Sequence, residues 1–135
     1  MKTTLSVLAL FTIGLGTAQA HHSFAMFDTD KVVTWEGTVE RFDWSNPHLH
    51  LIVAVPAAGK DAASAGKWDF EGASPNIASR QGWNKLSFKK GDKIKVTGNP
   101  MRDGSKGGSL KFALTADGKV LYHDLDRKVT PDTAK

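Results

Sequence analysis

Residues 32–55 read VVTWEGTVERFDWSNPHLHLIVAV, two alternating stretches joined by a break. In the first, Val33, Trp35, Gly37 and Val39 fall on one face and Thr34, Glu36, Thr38 and Glu40 on the other. That is the two-residue period of a half-buried strand. The apolar positions then change from odd to even at Phe42 and Trp44. One slip of phase in a continuous strand marks a β-bulge or a sharp bend. Asn46-Pro47 is a turn signal, and proline has no N–H to give to a ladder. A second strand runs from His48 to Val55, with Leu49, Leu51, Val53 and Val55 on its apolar face. His48 and His50 therefore point the other way, two strand residues or roughly 6.5–7 Å apart.

The rest of the chain extends this start. PAAGKDAASAGK, at 56–67, is small and polar and reads as a loop, and Trp68 and Phe70 mark a short strand in KWDFEG. Ser74-Pro75 opens a helix as N-cap and first helical residue, and Gly82 stops it after Gln81. GDKIKVTGNP is a strand with Ile94 and Val96 inward, MRDGSKGG a loop, and SLKFALTADGKVLYHDL a hairpin turning at Asp117-Gly118. The expected fold is all-β with one short helix, a small five- or six-stranded OB-like barrel. A helix between the third and fourth strands is the plan of the OB-fold. Another small barrel or an open sandwich has the same strand count.

The first twenty residues have a different character. MKTTLSVLALFTIGLGTAQA carries an early Lys2, an apolar run from Leu5 to Leu15, and a small-x-small ending at Ala18-Gln19-Ala20. The run is shorter than the roughly 20 residues that a bilayer-spanning helix needs, and the pattern is that of a cleaved secretory signal. The expected organisation is a signal peptide over 1–20, a single β-barrel domain over 21–125, and a flexible polar tail over 126–135. The expected compartment is a bacterial periplasm, or secretion, with no transmembrane segment after cleavage. With no cysteine in the chain, stability must come from packing, and the four tryptophans and seven phenylalanines are needed mostly inside.

Charge is uneven. Residues 85–111 hold eight Lys/Arg (Lys85, Lys89, Lys90, Lys93, Lys95, Arg102, Lys106 and Lys111) against Asp92 and Asp103. Such a stretch can serve an acidic partner, or it can be a solvated strand face with lysines guarding an edge. Export argues against nucleic acid.

HHSFAMFD, EGTVERFDWSNPH, EGASPNIASRQGW and FKKGDKIKVTGNPMRDGS, taken in order, resemble a family of small exported bacterial proteins classed as a domain of unknown function. The likeness covers nearly the whole chain after residue 20, and WSNPH is its most distinctive element. It implies export and one β-rich domain, and it brings no catalytic residues.

The histidines carry the sharpest chemistry. Cleavage after Ala20 would leave His21 with a free amine beside its imidazole, and His22 follows. An amine and imidazoles suit the tetragonal nitrogen coordination of copper(II). His48 or His50 would supply the remaining nitrogen, so the candidate metal ligands are His21, His22, His48 and His50 and the candidate cofactor is copper. A copper(I) version would draw on Met26, Met101 and Trp44, but neither methionine is near His48 in sequence. Zinc has no support, since there is no cysteine and no H-x₃-H spacing. The plain alternative makes His48 a turn residue donating to a carbonyl, Trp44 a plug in the barrel end and His123 a surface residue. No nucleophile motif such as G-x-S-x-G occurs, and DGSKGG lacks the ending of a phosphate loop. An imagined pairing of Asp43 with His48 is a thin basis for catalysis. The reading is therefore a small periplasmic binding protein, copper first. The alternative is a metal-independent ligand- or protein-binding OB-like module using its basic face around Lys89–Lys95.

Overall fold

The computed structural model of the chain describes residues 24–57 and 63–123. The expected signal segment 1–20, His21 and His22, and the tail 126–135 lie outside the described residues. The first strand, β1 (Val33–Asp43), pairs with β2 (His50–Val55), matching Val39 to Val53 and then Arg41 to Ile52. Glu40 is thus an extra residue, and the change of phase read from the sequence is a bulge at this point. Trp35 and Val39 are buried before it, and Phe42 packs against the core after it.

The remaining strands are β3 (Gly66–Glu71), β4 (Lys93–Pro100), β5 (Gly107–Leu114) and β6 (Val120–Tyr122). The sheet runs β3-β2-β1-β4-β5-β6. A parallel pairing of Asp69–Glu71 with Gly107–Ser109 joins β3 to β5 and closes the first five strands into a barrel. Helix α1 (Pro75–Arg80) lies between β3 and β4 in the chain, the OB arrangement, and β6 is an extra strand on β5. Inside the barrel Trp35 meets Trp68 and Phe70, with ring centroids 4.8 and 5.0 Å apart. A second aromatic group forms where Phe42 meets Trp44, Trp83 and Phe88. Burying each such side chain is worth about 1.5–3 kcal/mol, which is how a cysteine-free domain holds together.

Ser74 stands at the N-cap position with extended backbone, but its hydroxyl makes no capping bond, contrary to expectation. The N–H of Ile77, the donor a cap would serve, is already bonded to the Ser74 carbonyl at 3.0 Å, as is that of Ala78. Gly82 ends the helical segment at φ +90°, where a residue with a Cβ is strained.

The chain before β1 is tied to the turn between β4 and β5. Phe27, buried, bridges Met101, the Arg102 N–H donates to the Met26 carbonyl at 2.9 Å, and Arg102 Nε donates to the Ala25 carbonyl at 3.1 Å. Asp28 pairs with Lys31 at 2.9 Å and with Arg102 at 3.7 Å. The hydrogen bond from Lys31, aided by the charges of Lys31 and Arg102, holds the Asp28 carboxyl below its ordinary value. A depressed carboxyl adds stability above its unfolded pKa and loses it only as pH falls through the lower, folded one. The Asp28 contribution to docking of the arm should therefore persist at a pH of about 4, the ordinary aspartate range, and be lost only below it. Exchange of the Arg102 amide against pH measures this, and release already at a pH of about 5 would contradict it.

Candidate functional site

Strand alternation decides what the outer face of β2 and β3 carries. Leu51, Val53 and Val55 of β2 and Trp68 and Phe70 of β3 go inward, leaving His50, Ile52, Lys67, Asp69 and Glu71 outward. His48 precedes β2, but Leu49 between the two histidines is buried and held to β3's end. Its N–H donates to the Ala73 carbonyl at 3.0 Å, and its carbonyl accepts from Gly72 at 2.9 Å. The loop ahead of it turns through a cis Asn46–Pro47 peptide.

The two imidazoles meet two carboxylates. His50 stands directly across the ladder from Glu71, yet its Nδ1 bonds Asp69 Oδ1 on the diagonal at 2.8 Å. Glu71 instead takes Nδ1 of His48. An ionised carboxylate only accepts, so in both pairs a neutral imidazole carries its proton on Nδ1. Glu71 is the more enclosed acid, with its side chain 18% exposed against 52% for Asp69. The described partner of His48 Nδ1 is thus a carboxylate, that of Glu71.

The same face continues as a shallow groove of about 520 Å³ beside Asp69, lined by Glu40, Arg41, Ile52, Lys67, Asp69 and Lys90. Ile52 is an apolar residue on the outer face of a strand, but it is only 6% exposed because these charged side chains surround it. Glu40 pairs with Lys67 at 2.7 Å and Arg41 with Asp43 at 2.8 Å. Exposed pairs of this kind are worth about 0–1 kcal/mol, so a ligand could exchange them readily.

Behind the histidines lies a clasp that the sequence did not announce. His123, read as a surface residue, is half-buried, and its Nε2 accepts the Ala73 N–H. Its ring meets Trp83 edge-on at 5.8 Å, and Trp83 Nε1 donates to the Tyr122 carbonyl at 2.7 Å. Gly72 lets these parts close up, since a Cβ there would lie 2.6 Å from Leu49 Cδ1 and 3.0 Å from His123 Cε1.

Of the four candidate ligands, His48 and His50 each bond an acid on the outer face of β3, while His21 and His22 lie outside the described residues. Among the described residues no three His, Cys, Asp or Glu side chains are grouped to hold a metal ion. Trp44 packs against the core beside Phe42. Met26 and Met101 belong to the arm and the β4–β5 turn. The basic stretch is divided: Lys95 pairs with Glu36 at 2.5 Å, Lys106 bonds the Ala65 carbonyl, Arg102 ties down the arm, and Lys90 reaches the groove. Among the described residues no helix is long and apolar enough to cross a membrane.

A family model described as a family of unknown function, DUF6152, matches residues 10–111. This is well over half of the chain, and the chain belongs to that family. No curated protein matches it.

Proposed function

We propose that this member of the DUF6152 family is an exported, periplasmic binding protein that holds a copper ion through His48 and His50, completed by His21 or His22. The observation behind the reading is the pair of imidazoles on one barrel face, each with Nδ1 engaged by a carboxylate. Metal-ligating histidines ordinarily have such a partner on the nitrogen that does not bind the ion. The β2–β3 surface is also where OB-folds commonly take their ligands. Two imidazoles leave a copper(II) site short of nitrogens, and the amine and imidazole at His21 are suited to fill it. The arm that follows His22 is tied at Ala25 to Arg102, beside β5, and β5 pairs with β3. His21 lies four positions before Ala25, a reach of about 13 Å in extended chain.

A titration with copper(II), followed by native mass spectrometry, tests this. A chain beginning at His21 should retain one copper, and a methionine placed ahead of His21 or a His50→Ala change should weaken retention at least tenfold, about 1.4 kcal/mol. Retention that neither change affects, or no retention by any form, would overturn the reading.

A second reading has the Ile52 groove behind it: a metal-independent ligand with an apolar body and an anionic group, lying on Ile52 against Arg41, Lys67 and Lys90. Such binding would be lost on Lys90→Glu and indifferent to His50→Ala.

A further inference from the structure

We infer that Asp69 and Glu71 are positioning residues that fix which atom the two histidines offer, by holding His50 and His48 as Nδ1–H tautomers so that Nε2 carries the lone pair. This rests on the reading of the face as a metal site. It adds to that reading the atom that binds and the residues that select it.

The argument begins with the imidazole itself. A neutral imidazole has one donor nitrogen and one acceptor nitrogen, and the environment decides which is which. An unrestrained histidine side chain in water favours the proton on Nε2, the outer atom. Such a ring on a strand face would present a donor to its surroundings, unable to bind a cation through that nitrogen. A carboxylate at Nδ1 reverses the preference. His50 Nδ1 lies 2.8 Å from Asp69 Oδ1, within the normal range for a charge-assisted bond, and His48 Nδ1 has Glu71 Oε1.

The register makes the pairing an arrangement rather than an accident of neighbours. His50 has Glu71 directly opposite, but bonds Asp69, two residues along β3. Glu71 is thereby left to His48, and each histidine has its own acid. The acids are also well held. Both come from β3, whose Asp69–Glu71 segment is paired on one side with β2 and on the other with β5. The backbone that carries the acids is thus fixed to the barrel wall, and the rings of His48, on a loop, and His50, at a strand end, turn their Nδ1 atoms to them. On the metal reading, the ligand that such nitrogens take is an electron-pair acceptor, a transition-metal cation. Carboxylates so placed also raise the basicity of the ligating nitrogen, and removing such partners typically costs about 10–100-fold in metal affinity.

Long-range proton–nitrogen correlation spectra of the ¹⁵N-labelled, metal-free protein decide the point directly, at a pH of about 8, above the ordinary imidazole range. His48 and His50 should each show a protonated Nδ1 and an unprotonated Nε2. Asp69→Asn should move the His50 pattern toward Nε2–H and leave His48 unchanged, Glu71→Gln should do the reverse, and Asp69→Glu should restore His50. A merely structural acid would not move the tautomer of one named ring. An Nε2–H pattern in the unaltered protein, or one indifferent to both amide substitutions, would overturn the inference. The copper titration of the same samples is a separate arm. Unaltered protein that takes no copper would sink the metal reading while leaving the tautomer result to stand on its spectra. Copper held equally by the unaltered protein and both amide variants would overturn the positioning role. Weakening by about 10–100-fold would support it.

Discussion

Trp83→Ala should destabilise the protein by about 3–5 kcal/mol, the range for removing a large buried aromatic. Domains of this size commonly have only about 5–15 kcal/mol to lose. Trp83 is 1% exposed, and its ring is shared by Phe42, Phe88 and His123, with centroids 6.2, 5.4 and 5.8 Å away. The substitution leaves a cavity among these rings and also strips the Tyr122 carbonyl of its indole donor. Trp83→Phe separates the two losses, because it restores most of the volume but no N–H. The remaining deficit should be about 0.5–1.5 kcal/mol, the net worth of the part-buried hydrogen bond that is lost. Urea unfolding should show the midpoint falling with little change in slope. The effect should also reach the outer face. Trp83 backs His123, which receives the Ala73 N–H, and Ala73 lies two residues beyond Glu71. In Trp83→Ala the His48–Glu71 pair should therefore loosen more than the His50–Asp69 pair, which lies further down the ladder. A loss below about 1 kcal/mol would mean that the segment between α1 and β4 is not packed into the barrel as described.

What the sequence disclosed, and what it withheld, follows from the range of the forces concerned. The bulge at Glu40 was readable because burial imposes a two-residue period, and a period that slips by one residue needs a physical cause. The Asp117-Gly118 turn was readable because Gly118 sits at φ +81°, a local demand for glycine. Closure of the barrel was not readable in this sense. Nothing near Asp69 or Gly107 indicates that they pair, and the OB plan came only from the order of elements. The docked arm is a similar case, since Phe27 finds Met101 across more than seventy residues of chain. Ser74 shows a local rule overridden locally, by a carbonyl that reached the same donor first.

The site divides along the same line. Alternation placed His48 and His50 on the outer face, and it could also have placed Asp69 and Glu71 there, since KWDFEG puts its aromatics inward. Joining the two faces required the β2–β3 register, and a shift of one residue would have turned the acids away. His123 offered no comparable signal. It follows a short strand near charged residues, as a surface residue would, and its partner at Ala73 is set by the tertiary fold alone.

The closure that the sequence concealed is also where a single methyl group should do great harm. Gly98→Ala should lower Tm by roughly 10–20 °C, taking an overpacking cost of about 2–3 kcal/mol at 4–8 °C for each. A Cβ at Gly98 would stand 2.1 Å from the Ser109 carbonyl oxygen, and that oxygen belongs to a backbone with no rotamer to change. β4 cannot simply move off, because Gly98 is paired with Val33 of β1 on one side and Leu110 of β5 on the other. The relief must come from β5 at Ser109, the residue paired with Glu71 of β3. Gly82→Ala is the control. It too introduces strain, at φ +90°, but meets nothing within 4 Å, so its cost should stay at about 1–2 kcal/mol. Thermal unfolding of the pair separates a clash from a conformational penalty, and equal melting temperatures would refute the clash. Because Asn99, next to Gly98, holds the Lys31 carbonyl at 2.6 Å, the same methyl should also loosen the arm that leads back to His22. If copper is held between that arm and the β2–β3 face, Gly98→Ala should weaken it at temperatures where the barrel is still folded, and Gly82→Ala should not.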